Sequence, residues 1–92
     1  MIAFDADNGK IYLGKNGTWF DSGNPATNTN PAYTFTIGDD KFWFPIYAPE
    51  NNEIEVNHGN GIWEGSAIGS PNADGQSLGK FQYTPPTGYL AI

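Results

Sequence analysis

Short alternations of apolar and polar residues, separated by turn-forming residues, constrain this chain more than any other feature. Segment 2–5 alternates with the period of a half-buried strand, and the Asn-Gly dipeptide at 8–9 suits a two-residue type I′ turn, in which both positions have positive φ. Segment 11–13 alternates again, and the Lys-Asn-Gly tripeptide at 15–17 turns the chain into 18–20. The pattern predicts an antiparallel meander of three strands.

The rest of the chain continues this pattern as a single domain, 1–92. Further strands are predicted at 33–37, 41–47, 53–57, 81–83 and 89–92. Segment 41–47 is the most apolar and predicts a central strand, with Pro45 near an end, an edge or a bulge because proline lacks the amide donor. Ile54 and Val56 are expected to face inward. Segments 21–32 and 59–79 predict surface loops, the second long and rich in glycine.

Composition excludes several classes of protein. The net charge is −6 and the chain has four lysines and no arginine, which disfavours nucleic-acid binding. The absence of cysteine excludes disulfides and zinc–thiolate sites. No apolar run approaches the roughly 20 residues of a membrane span, and the first residues do not resemble a signal peptide. We therefore expect no nucleic-acid partner, no membrane and no secretion signal.

No set of residues specifies a reaction, so we expect no catalytic residues, no metal and no cofactor. General acid–base catalysis needs two carboxylates in environments that separate their pKa values. The carboxylate pairs of this chain lie beside turns or on an outward strand face, where turn formation and solvation explain them. These pairs are Asp5/Asp7, Asp39/Asp40 and Glu53/Glu55. His58, the one histidine, is interpreted as a hydrogen-bonded, partly buried side chain.

Aromatic side chains are the better candidates for a function. Sugars stack on exposed aromatic faces, while amides and carboxylates bind their hydroxyls. Trp63 lies inside the glycine-rich loop, where it either packs beneath the loop or faces a partner. Asn60 of the same loop and Trp19 complete the predicted ligand-binding set, although the strand positions of Trp19 and Trp43 also suit core residues.

The order of these motifs resembles the bacteriophage-type SPRY domains. That family has a strand ending in alternating aspartates, a short hairpin, and then Lys-Asn-Gly; the matching residues here are Asp5, Asp7, Gly9, Lys10, Gly14, Lys15, Asn16, Gly17 and Trp19. Later matches are Phe44-Pro45-Ile46, Val56-Asn57-His58-Gly59, and the closing Phe81, Tyr83, Pro86, Gly88, Tyr89, Ala91 and Ile92. His58 departs from the family, which usually has phenylalanine there.

The resemblance implies an all-β, antiparallel, concanavalin-like SPRY sandwich. It covers nearly the whole chain but only the C-terminal half of such a domain, so the N-terminal half is expected to be missing. Half a sandwich leaves apolar faces and strand edges uncovered. A second copy is therefore expected to cover them in a dimer or trimer, with Phe42, Trp43 and Phe44 at the interface.

The resemblance also implies a binding module rather than an enzyme. Phage forms are similar to virion or tail proteins, so we expect a glycan or a host surface protein as partner. The expected location is the virion or the cytoplasm of the producing cell. The competing interpretation is a purely structural, self-assembling subunit or fragment with no ligand of its own, because fold alone does not establish function.

Overall fold

The regular structure of this chain is antiparallel β-sheet with almost no helix. A computed structural model describes residues 1–38 and 43–91. The strands are β1 (Ile2–Asp5), β2 (Lys10–Lys15), β3 (Thr18–Trp19), β4 (Tyr33–Thr34), β5 (Ile62–Trp63) and β6 (Ser66–Ala67). Two short 3-10 turns, Phe20–Ser22 and Pro25–Thr27, are the helical elements of this part of the chain. The all-β class expected from the sequence is confirmed.

Strand β2 is the centre of the larger sheet. It pairs with β1 along one edge, from Ile2↔Leu13 to Asp5↔Lys10. Its other edge is shared, because β3 pairs with residues 14–15 and β4 pairs with residues 10–11. All these pairings are antiparallel, so the meander predicted for the first twenty residues is confirmed. In the described part of the sheet, β1 is an edge strand.

The first turn differs from the predicted type I′ turn. Asp5 pairs with Lys10, so the loop contains four residues, and within it only Gly9 has a positive φ, 65°. The Asp5 carboxylate accepts hydrogen bonds from the backbone N–H and the side-chain Nδ2 of Asn8, both at 2.9 Å. These bonds hold Asn8 in the wider loop. The two-residue turn with positive φ comes later, at Asn16 and Gly17.

The buried face of the hairpin carries Ala3 and Tyr12, which pair across β1 and β2. Tyr12 is 1% exposed, the most buried large side chain of the described residues. Ile2, on the opposite face, is 63% exposed, and Leu13 beside it is also exposed. Side chains therefore alternate between two faces, as the sequence predicts. The buried face is that of Ala3 and Tyr12, whereas the aliphatic side chains of Ile2 and Leu13 lie on the exposed face.

The predicted central strand at 41–47 is wrong over its described part. Residues 43–47 contain no strand, and Phe44 is 72% exposed. Pro45 lacks an amide donor, and no described residue pairs with this segment. Residues 53–57 and 89–91 also form no strand, and Ile54 is exposed where an inward position was predicted. Segment 81–83 forms an isolated bridge through Phe81 only.

Polar side chains take the place of strand pairing in the second half. Asn57 Nδ2 donates to the backbone oxygens of Ile62 and Lys80, both at 3.1 Å. Asn72 Nδ2 donates to the Gln82 oxygen at 3.1 Å. These bonds fasten the glycine-rich loop to the C-terminal segment, with backbone bridges Asn60↔Lys80 and Asn72↔Phe81 beside them.

Candidate functional site

A cleft of about 1310 Å³ is lined by both halves of the chain. Its lining includes residues 1–8 and 13–16, from β1 and the end of β2, and residues 43–47, 54–58 and 81–91. Few of these residues are in regular strands, so the cleft is shaped by turns and by the side-chain hydrogen bonds described above. The cleft is larger than the roughly 300–1,000 Å³ of a small-molecule pocket, and its concave form suits a larger partner.

The aromatic side chains that line this cleft include Trp19, Trp63 and Tyr83. The Trp63 and Tyr83 rings meet edge to face, with centroids 6.1 Å apart and an interplanar angle of 78°. Tyr83 also lies against Gly17, where a Cβ would be 3.3 Å from the ring. Tyr83 thus joins the turn after β2 to the hairpin that carries Trp63. No binding role is predicted for Tyr83 from the sequence, because its position is set by contacts distant in sequence.

The position of Trp63 is fixed by a tight hairpin. β5 and β6 are joined by Glu64 and Gly65, whose φ values of 49° and 69° are typical of a type I′ turn. The Glu55 carboxylate accepts the Gly65 N–H at 2.7 Å and anchors this turn. Trp63 is 38% exposed, so part of its ring is free for a partner while its edge packs on Tyr83.

Asn60 does not lie with the two tryptophans. It is not among the residues that line the cleft. Its Oδ1 accepts the Ile62 N–H at 3.1 Å, and its main chain bridges to Lys80. Asn57 does line the cleft, and its Oδ1 accepts the Gly59 N–H at 2.6 Å. The Asn-x-Gly spacing is the sequence signal that could have identified Asn57, since asparagine forms such turns with the amide two residues on.

A second group of aromatic side chains is formed by Phe4, Phe35 and Trp43. The Phe35 ring is stacked on that of Phe4, with centroids 5.4 Å apart, and the Trp43 ring lies 4.2 Å from Phe35. Trp43 and the exposed Phe44 both line the cleft. Phe42, the third predicted interface residue, lies outside the described residues. The sequence left Trp43 as either an interface residue or a core residue. In the structure Trp43 is 48% exposed and contacts Phe4 and Phe35.

Two carboxylates of the predicted pairs, Asp5 and Glu55, accept hydrogen bonds that hold turns. Partial burial tends to raise the pKa of the Asp5 carboxyl, but the hydrogen bonds from Asn8 hold this pKa below its ordinary value. Asp39 and Asp40 lie outside the described residues. His58 is half-buried, and its Nε2 is 3.1 Å from the Tyr47 hydroxyl, as the sequence predicts for a hydrogen-bonded histidine. Within 1–38 and 43–91, no three potential ligands are grouped to hold a metal.

Two tyrosine hydroxyls are buried near Asp5. Tyr12 Oη and Tyr89 Oη have no hydrogen-bond partner in the described part of the chain. Burial, with the Asp5 charge acting in the same direction, raises the pKa of Tyr12. Burial and then the Asp5 carboxylate raise the pKa of Tyr89 to about 12.

Asp74 is the polar anchor of the C-terminal segment. Its Oδ2 accepts the Ala91 N–H at 2.8 Å, and its Oδ1 accepts the N–H groups of Leu78 and Gln76 at 2.9 and 3.1 Å. The bond from Ala91, followed by that from Leu78, lowers the pKa of the Asp74 carboxyl against the opposing effect of burial. This carboxylate therefore closes the loop 74–78 and holds residue 91 beside it.

Comparison of the chain with protein-family models, curated proteins and solved structures finds no match. The resemblance to SPRY domains accordingly rests on the sequence motifs. In the described ranges, no helix has the length and apolar character needed to cross a membrane.

Proposed function

We propose that this chain is a non-enzymatic recognition module that contacts a glycan or a protein partner through the cleft. The observation that carries the proposal is the aromatic lining of the cleft, which includes Trp19 and the contacting pair Trp63 and Tyr83. Exposed aromatic rings offer large apolar contact area together with polar edges, which is why they dominate binding sites. Asn57 and Glu55 line the same cleft and supply amide and carboxylate groups.

The SPRY resemblance supports a more specific proposal about the fold and the origin of the protein. The all-β meander carries the Lys15-Asn16-Gly17 motif of the resemblance in the turn that contacts Tyr83. We take the fold to be a short SPRY-like sandwich. We take the protein to be phage or phage-derived and associated with a virion or tail, with no cofactor.

The non-enzymatic part of the proposal is supported by how the carboxylates are used. Asp5 is hydrogen-bonded to Asn8, Glu55 to the Gly65 amide, and Asp74 to three backbone amides. Each carboxylate accepts bonds that hold a turn. A general acid or base needs a carboxylate free to exchange a proton with a substrate, and these three are committed to the backbone.

Replacing Trp63 by alanine is expected to abolish recognition without unfolding the protein. The ring is partly exposed, and loss of a central aromatic contact typically weakens binding by at least about 30-fold. The measurement is binding of the purified protein to immobilised glycan and peptide arrays, with circular dichroism to verify folding. Leu78→Ala is the matched control, since Leu78 is 69% exposed and lies outside the cleft lining. Equal binding by the wild type and a folded Trp63→Ala variant would exclude Trp63 as a contact.

A self-assembling structural subunit is the second candidate. The exposed side chains of Ile2, Phe44 and Ile46 favour it, because contiguous exposed apolar surface marks an interaction site. A second copy would cover this surface in a dimer or trimer. If the protein bound nothing on the glycan and peptide arrays and formed a stable oligomer, the result would support this candidate over recognition of a foreign partner.

A further inference from the structure

The outer edge of β1 presents backbone hydrogen-bonding groups. Met1 and Gly14 exchange two backbone bonds: the Gly14 N–H donates to Met1 O at 2.9 Å, and the Met1 ammonium donates to Gly14 O at 2.6 Å. Hydrogen-bonded and non-bonded pairs alternate along an antiparallel ladder. The pairs formed by Ile2 with Leu13 and by Phe4 with Ile11 are therefore non-bonded. The N–H and C=O groups of Ile2 and Phe4 consequently point away from β2.

These outward groups have no partner in the described part of the chain. β1 pairs with β2 alone, and neither Ile2 nor Phe4 has a further backbone bond. Residues 1–8 all line the cleft, so it follows β1 along its whole length. An unpaired strand edge beside an open cleft is a template for an added strand.

The side chains around this edge specify the chemistry of an added strand. Ile2 and Phe4 lie on one face of β1. This face is apolar, and the Phe4 ring on it is stacked on the ring of Phe35. Asp5 lies on the other face with Ala3. Asp7 and Glu55 also line the cleft, and Lys15 is the one lysine among its described lining residues. A strand added to β1 alternates between the two faces of β1. One set of its side chains meets the apolar face of Ile2 and Phe4, and the other set meets the face that carries the Asp5 carboxylate.

We propose that the cleft binds an extended segment of another polypeptide, which pairs with Ile2 and Phe4 and alternates apolar with cationic residues. This inference rests on the proposed recognition function and names the class of partner. A second copy of this chain is disfavoured as the occupant, because each copy carries a net charge of −6 and like charge opposes association. A cationic partner gains from the same charge.

The test uses a capped synthetic peptide of alternating lysine and valine, titrated into the full chain. We expect saturable binding, and slower hydrogen exchange of the Phe4 amide when the peptide is bound, by about tenfold or more. Ile2→Pro removes an outward N–H at an edge position that tolerates proline, whereas Ile2→Val keeps the amide. We expect Ile2→Pro to weaken peptide binding at least about tenfold relative to Ile2→Val, as loss of a backbone bond requires.

A second arm is independent of the folding of the variant. The same peptide N-methylated at the amides that face β1 should lose binding to the wild-type protein. The inference would be overturned by any of three results. The N-methylated peptide could bind as well as the unmodified one, a glutamate–valine peptide could bind equally well, or the lysine–valine peptide could fail to bind. Phe4 protection without peptide, in a dimer, would overturn it in favour of a second copy. The proposed recognition function has a separate test. If this inference failed but array binding still depended on Trp63, the recognition function would remain supported.

Discussion

Replacing Tyr12 by alanine is expected to destabilise the protein by about 3–5 kcal/mol, the range for removing a buried aromatic ring. Tyr12 is 1% exposed, pairs with Ala3 across the hairpin and meets the Trp19 ring edge to face with centroids 6.5 Å apart. Small domains have only about 5–15 kcal/mol of stability in total, so a large fraction of it would be lost. The measurement is urea unfolding followed by circular dichroism.

The matched variant is Tyr12→Phe, which keeps the ring and removes the hydroxyl. Tyr12 Oη is buried without a partner in the described residues, so its removal relieves a desolvation cost. We expect the stability of Tyr12→Phe to equal or exceed that of the wild type. A large loss in Tyr12→Phe would show that the hydroxyl has a bonding partner. A negligible loss in Tyr12→Ala would show that this ring is not the centre of the core.

Replacing Asp74 by asparagine is expected to lower the midpoint of thermal unfolding by at least about 5 °C, a large shift for a domain of this size. The carboxylate accepts bonds through both oxygens, from Ala91 at Oδ2 and from Leu78 and Gln76 at Oδ1. The asparagine amide presents a donor at one of these positions, so one backbone N–H loses its acceptor. Glu50→Gln, at an exposed position, is the control.

The contribution of Asp74 also has a defined pH dependence. Its folded pKa lies below the ordinary value, so the unfolded state binds a proton first as the pH falls. The stabilisation is present above the unfolded pKa of about 3.9 and is lost as the pH falls through the folded value. The wild type should therefore lose stability more steeply than Asp74→Asn below about pH 4. The measurement is the free energy of unfolding of both proteins as a function of pH. An equal loss of stability in the two proteins below about pH 4 would contradict this role of Asp74.

The sequence predicts the parts of the fold that are formed by contacts between residues close together in the chain. The hairpin of β1 and β2 follows from alternation and turn residues, and its antiparallel pairing is as expected. Even there, the turn at residues 6–9 differs, because the Asp5 side chain competes with the tight turn by binding Asn8. The burial of Tyr12 could not be read from alternation, since alternation leaves open which face meets the rest of the chain.

The C-terminal half depends on contacts that a pattern does not encode. Segments 53–57 and 89–91 alternate like strands, but no described strand lies beside them to complete a ladder. Asn57, Asn72 and Asp74 hold this region through side-chain bonds to residues up to 23 positions away. Trp63 was identified from its loop position, whereas its contact with Tyr83 requires the folded chain.

Light scattering of the purified protein after size exclusion tests most directly whether the cleft is open to a foreign partner. The SPRY resemblance implies a dimer or trimer, but the net charge of −6 on each copy opposes self-association. We therefore expect a monomer of 10.0 kDa at micromolar concentration, with the edge of β1 and the Trp63–Tyr83 pair both accessible. A stable dimer or trimer that Phe44→Ser dissociates would contradict this. It would show that a second copy covers the cleft and that assembly is the function of its apolar surface.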